Sequence, residues 1–216
     1  AKQTGVKANQ RLTIDQKTSG NQGYNVYGSI KPIFSEYSSQ LGISFKHEEN
    51  DFDDFAREIL LPHKQSRMGP ALVSGDVNGD GLDDFYLGGA KGQTGRLFIQ
   101  EDGKFTSTSA PFEFNKEGEE VSAAVFTVVD GSTALIVCNG NGETSGADDS
   151  QGDVIQWQGK GGGASRMTDL AANSSCVAVS DDGDVFIGGG VIPGKYPQGQ
   201  HSWHLKVKGG ELTPTH

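Results

Sequence analysis

The chain has 216 residues and a formal net charge of −10. It carries no Lys/Arg cluster of the kind that phosphate binding needs, which argues against nucleic acid, and no apolar run of 18 residues that would span a membrane as a helix. Its 32 glycines, 8% aromatics and short apolar runs point to many turns between short strands, hence an all-β fold built as one large domain or two smaller ones.

The chain opens on Ala1-Lys2-Gln3, which suits a mature product or an excised fragment, so secretion is neither visible nor excluded. Residues 6–14 read as a strand, and the polar, glycine-containing run over 18–28 as a linker. Pro32-Ile33-Phe34 through Ile43-Ser44-Phe45 reads as outer-strand material. Residues 51–60 fit a short helix, with Phe52, Phe55 and Ile59 on one face and Pro62 ending it, or else an ordered loop.

Next comes Asp76-Val77-Asn78-Gly79-Asp80-Gly81-Leu82-Asp83-Asp84. Acidic or amide side chains stand at loop positions 1, 3, 5 and 9, glycine at 6, and Leu82 at 7 can offer its carbonyl. A hard cation such as Ca²⁺ takes six to eight oxygens, and this spacing suits one such ion held by Asp76, Asn78, Asp80, Leu82 and Asp84. An EF-hand would place a bidentate Glu at position 12, in a helix. Here position 12 is Leu87, within Asp84-Phe85-Tyr86-Leu87-Gly88-Gly89, a strand with a glycine exit. The loop therefore joins two strands. A plain Asp/Asn/Gly turn is the simpler alternative, but such a turn has no need of acids at alternating positions.

The same plan recurs twice. Ala124-Val125-Phe126-Thr127-Val128-Val129 turns at Asp130-Gly131 into Ala134-Leu135-Ile136-Val137-Cys138-Asn139-Gly140. Cys176-Val177-Ala178-Val179-Ser180 turns through Asp181, Asp182, Gly183 and Asp184 into Val185-Phe186-Ile187-Gly188-Gly189. From Gly89 to Gly140 is 51 positions and from Gly140 to Gly189 is 49, a propeller-like period. Each unit adds two further strands, the first through the hairpin signal Asp102-Gly103. The expectation is a partial β-propeller of about three four-stranded blades, at about 70–110, 121–170 and 174–214, with an irregular N-terminal extension. The second and third turns are too short to supply ligands, so one calcium site is expected.

Ser74-Gly75 through Phe85 with the Gly88-Gly89 exit is similar to the FG-GAP/VCBS repeat. His47-Glu48-Glu49-Asn50-Asp51-Phe52, Leu60-Leu61-Pro62-His63-Lys64 and Val191-Ile192-Pro193-Gly194-Lys195-Tyr196-Pro197 resemble segments of large bacterial VCBS-repeat proteins that carry ASPIC/UnbV domains. The resemblance implies a closing ASPIC/UnbV-like strand over 1–17, a linker over 18–30 and propeller blades over 31–216. It further implies an exported bacterial protein, periplasmic, secreted or surface-attached, and calcium at the five loop positions. It implies no established activity. Three blades leave a ring open, so an oligomer or missing blades are expected to cover the exposed edges.

No strong catalytic constellation is legible. His63, Arg67 and Glu48 would support an enzymatic site, carbohydrate-active or oxidative, only if the fold gathered them in one pocket. His201 and His204 sit three apart on an extended strand, where they point to opposite faces and fall short of a zinc shell. Trp157, Trp203, Tyr196 and Phe98 could form a sugar platform, but for most of them core packing is the stronger reading. Glu48, Glu49, Asp51, Asp53 and Asp54 read as an acidic loop with the option of a weak cation site. Cys138 and Cys176 fit a disulfide or two buried thiols equally. A non-catalytic segment that binds a protein or glycan partner is the favoured reading.

Overall fold

The computed structural model describes residues 32–108, 120–140, 142–143, 154–158, 163–167, 170, 173–208 and 211–215. The chain divides into two compact units, Ala1–Glu36 and Tyr37–His216. Every helix and strand among the described residues belongs to the second. The strand expected over 1–17 and the linker over 18–30 lie outside the described residues.

Among the described residues, twelve strands form three four-stranded antiparallel sheets, each a simple meander. The first holds β1 (Leu72–Gly75), β2 (Asp84–Leu87), β3 (Arg96–Glu101) and β4 (Lys104–Thr108). The second holds β5 (Glu120–Val129), β6 (Ser132–Gly140), β7 (Val154–Gln158) and β8 (Ala164–Met167). The third holds β9 (Ser174–Val179), β10 (Val185–Gly189), β11 (Trp203–Lys208) and β12 (Glu211–Pro214). The first strands of the three sheets neighbour one another in the order β1, β5, β9. Two of the hairpins turn on Asp-Gly pairs with both residues at positive φ, at 102–103 between β3 and β4 and at 130–131 between β5 and β6. That is the twist a two-residue antiparallel turn demands.

Two apolar cores lie between the sheets. Tyr86, Leu97, Val121, Leu135 and Val137 fill the first, and Ile136, Cys138, Val154, Val185, Ile187 and Leu205 fill the second. Alternate residues of β6 thus feed opposite cores. This is why its run from Ala134 to Cys138 is apolar throughout and fully buried, as a strand covered on both faces must be.

The exit glycines are where neighbouring sheets close on one another. A Cβ on Gly88, just after β2, would sit 2.7 Å from Val121 Cβ on β5, and one on Gly140, at the end of β6, would sit 3.2 Å from Asn173 Oδ1 just before β9. Gly88→Ala is expected to cost about 1–3 kcal/mol by forcing the first two sheets apart. Gly163→Ala, with nothing among the described residues within 4 Å of its Cβ position, serves as the near-neutral control in urea unfolding.

The N-terminal part departs from expectation. Residues 32–45 form no strand. Residues 37–45 meet the first sheet through a backbone hydrogen bond from Phe105 N–H to the Leu41 carbonyl (2.7 Å), and Leu41, Ile43, Phe45 and His47 alternate half-buried with exposed neighbours. The helix is a single turn, α1 (Asp54–Arg57), and it ends at Glu58, well before Pro62. Phe55 is 40% and Ile59 81% exposed, so no apolar face drives it. Polar anchors hold it instead. Asp53 accepts from Phe55 N–H at its start, and the buried Asp54 carboxylate accepts from the N–H groups of Gln65 (2.8 Å) and Ser66 (2.9 Å) and the Ser66 hydroxyl (2.5 Å). Burial opposes ionisation of Asp54, yet these donated protons together outweigh it and hold its carboxyl below the usual range.

Candidate functional site

The 76–84 loop leaves β1 and enters β2. Gly79 (φ 78°) and Gly81 (φ 84°) take the left-handed backbone that wraps it. Inside the wrap, Asp76 accepts hydrogen bonds from the N–H groups of Gly79 (2.7 Å), Asp80 (3.2 Å) and Gly81 (2.9 Å). Led by Gly81, these donors hold the Asp76 carboxyl below its ordinary range, so it is an anion at neutral pH. Asn78 Nδ2 donates to Asp80 Oδ2 (2.8 Å), and Asp80 Oδ1 accepts from Leu82 N–H (2.8 Å). Three of the five expected ligands, Asp76, Asn78 and Asp80, therefore occupy one small volume.

Asp84 is placed differently. It is fully buried, and its two oxygens accept from Val77 N–H (3.0 Å) and from Gln100 N–H on β3 (2.8 Å). Thr133, at the start of β6, donates to the Asp76 carbonyl (3.0 Å), so the loop is pinned to the first two sheets. Among the described residues no Lys or Arg pairs with Asp76, Asp80, Asp83 or Asp84. Also among the described residues, no three His, Cys, Asp or Glu side chains converge as a ready metal shell, so the loop stands closed on its own hydrogen bonds. The donor types nonetheless suit a hard cation: carboxylates, an amide oxygen and an available carbonyl, with no competing positive charge.

A second feature lies at the opposite end of β1. A polar cleft opens where the starts of β5 and β9 meet, lined among others by Glu120, Ser122, Asn173, Ser174 and Ser175. Both strands bulge there. The β5–β6 register skips Ser122, and the β9–β10 register skips Ser175. A bulge turns one side chain out of the alternation, and both bulged serines line the cleft. Glu120 is 6% exposed, and its Oε1 accepts from Gly69 N–H (2.9 Å). Burial first, then the nearby charges of Glu49 and Glu143, push its carboxyl up to about 7 against the Gly69 bond and His47. Sequence reasoning missed this cleft, whose only trace is a serine next to the start of each strand, in Val121-Ser122-Ala123 and Ser174-Ser175-Cys176.

The remaining candidates are each engaged with a local partner. His63 contacts Gln65 (3.1 Å), Arg67 donates to the Asn50 carbonyl (3.2 Å), and Glu48 pairs with Lys46 (3.1 Å), each at the surface. Of the acidic run, Glu49 bonds His47 (2.7 Å), while Asp53 and Asp54 serve α1 and its neighbouring loop. His204 is more than a surface histidine. It stacks on Phe186 (4.4 Å) and bonds Asp184 (2.9 Å) and Thr215 (2.9 Å), and that first bond, with Lys206 beside it, holds the Asp184 carboxyl below its usual range. Phe98 is fully buried against Phe85, and Trp157 and Trp203 pack on the two cores. Tyr196 is 37% exposed, on a loop whose Gly194 and Tyr196 N–H groups donate to Glu58. Cys138 and Cys176 are free thiols, Cys138 buried, with burial pushing it up to about 12, and Cys176 exposed.

No protein-family model matches the chain, and no curated protein matches it either.

Proposed function

We propose that the chain is part of an FG-GAP/VCBS-type β-propeller of an exported bacterial protein, stabilised by one calcium ion and serving to bind a protein or glycan partner rather than to catalyse. In this reading the three meander sheets are blades and β1, β5 and β9 their inner strands. The side-by-side order of those three strands is the observation that carries it, because radial blades meet through their first strands. His63, Arg67 and Glu48 are each engaged at the surface with other groups, which is why the enzymatic alternative is not the reading preferred here.

Calcium would be held by Asp76, Asn78, Asp80 and the Leu82 carbonyl, with Asp84 fixing the base of the loop and sharing its remaining lone pairs. The ion would supply charge neutralisation and a rigid bend between β1 and β2, not chemistry on a substrate. The partner would meet the loops or the open flanks of the outer two blades, which a closed ring or an oligomer would otherwise cover. Calorimetric titration is expected to find one calcium ion per chain, lost in Asp80→Asn. No heat of binding in the unchanged chain, or a stoichiometry of three, overturns the proposal.

A further inference from the structure

The cleft between the starts of β5 and β9 is rich in hydrogen-bond acceptors. Ser122 donates its hydroxyl proton to the Cys138 carbonyl (3.1 Å) and Ser175 to the Gly188 carbonyl (3.4 Å). Asn173 directs its Nδ2 to the Val191 carbonyl (2.7 Å). The two serines therefore turn oxygen lone pairs, not protons, toward the open space. Glu120 adds a carboxylate whose Oε1 is tied to Gly69 and which no Lys or Arg among the described residues neutralises. Ser174, 4% exposed on the same wall, has a buried Oγ with no hydrogen-bond partner among the described residues stronger than a thiol. Its polar neighbour is the Cys138 thiol, a weak partner. A buried polar atom left unpaired costs free energy that a ligand can recover.

A ligand that matches this lining donates several protons and carries positive charge. A metal ion is a poor match, since the lining offers one carboxylate and, among the described residues, no three metal-binding side chains converge. We infer that this cleft binds a primary alkylammonium group, with Glu120 as counter-ion and Ser122, Ser174 and Ser175 as acceptors. A lysine side chain of a partner protein and a free small amine share that chemistry. The site goes beyond the calcium reading and does not depend on it.

The surrounding charges favour the same ligand. Glu49 and Glu143 add negative potential at Glu120. Lys91, 3.5 Å from Glu143, His47, 2.7 Å from Glu49, and Arg57, which donates to the Gly142 carbonyl (2.7 Å) on the cleft wall and pairs with Glu58, are basic groups nearby, and each is engaged with a group other than Glu120.

The test is a titration of the whole chain at pH 8, at fixed calcium and fixed ionic strength, followed by amide ¹⁵N spectra. Methylammonium is expected to shift the signals of Glu120, Ser174 and Ser175 saturably. Tetramethylammonium, with the same charge and no N–H, is expected not to. A charge-assisted hydrogen bond lost in Glu120→Gln should weaken binding by about tenfold or more, and so should lowering the pH to 5.5, where Glu120 takes up a proton. Ser174→Ala is the second variant, expected to weaken binding with the spectrum otherwise unchanged. A short lysine-containing peptide that competes with methylammonium marks a protein source, and a free amine that binds while the peptide does not marks a small-molecule source. Equal responses to tetramethylammonium or sodium, or full binding by Glu120→Gln, overturn the inference.

Discussion

Chelating calcium lowers the melting temperature of this protein by about 5–10 °C, and Asp80→Asn abolishes the difference: that is the largest effect expected here. A ligand held at a hundredfold over its dissociation constant and bound only by the folded state contributes about 2.7 kcal/mol, and in a chain of this size each kcal/mol moves the midpoint by about 2–4 °C. Asp80 is the informative position. Its carboxylate holds Leu82 N–H and Asn78 Nδ2, bonds that an asparagine oxygen can still accept in part, while the charge is lost. Asp76 is the wrong probe, because it accepts from three loop amides and Asp76→Ala would loosen the loop with or without an ion. Differential scanning calorimetry in excess calcium and in EGTA checks this. Superimposable traces for the unchanged chain defeat the calcium proposal, and a calcium response that persists in Asp80→Asn moves the ion elsewhere.

The sheets were legible because their determinants are local. Asp102-Gly103 and Asp130-Gly131 specify turns by backbone conformation alone, and the glycine exits mark where a side chain would collide with the neighbouring sheet. The apolar run of β6 carried a further message, that both faces of the second sheet are covered, which its sequence shares with any buried strand. The 76–84 loop was legible in its residue types but not in the placement of Asp84. Its orientation follows from Gln100, sixteen residues later on β3, which no spacing rule contains. Residues 51–60 do hold a short helix, but not for the reason their apolar spacing suggested. Their apolar periodicity is genuine, but buried polar anchors at Asp54 and Ser66 decide the local fold. The cleft was invisible for a third reason. It is assembled from two bulges in separate sheets, and a bulge is a property of pairing register that appears only when the partner strand is known.

Glu120 gives the second large effect, with a sign that separates it from ordinary destabilisation. Its carboxyl sits at about 7 in the folded chain and near 4.5 in the unfolded one. Below pH 4.5 both states hold the proton and the full contribution to stability is present. As the pH rises toward 7 and beyond, the unfolded chain has given up its proton freely while the folded chain must hold a buried anion beside Glu49 and Glu143, so stability falls. A tenfold change in proton affinity between the two states corresponds to about 1.4 kcal/mol, and solvent reaching the open cleft reduces the total to on the order of 2 kcal/mol. Glu120→Gln keeps an acceptor for Gly69 N–H and removes the charge. Urea unfolding is therefore expected to show the Gln variant as stable as the parent at pH 5 and more stable at pH 8, with the parent alone losing stability between them. The direction reverses if the carboxylate is already neutralised at pH 8 by a bound ammonium group, because the parent then gains what the variant lacks. Measuring both proteins at pH 8 with and without methylammonium thus reads the buried charge and its counter-ion from one pair of curves. Equal destabilisation of the variant at both pH values would show that Glu120 acts only through its hydrogen bond to Gly69.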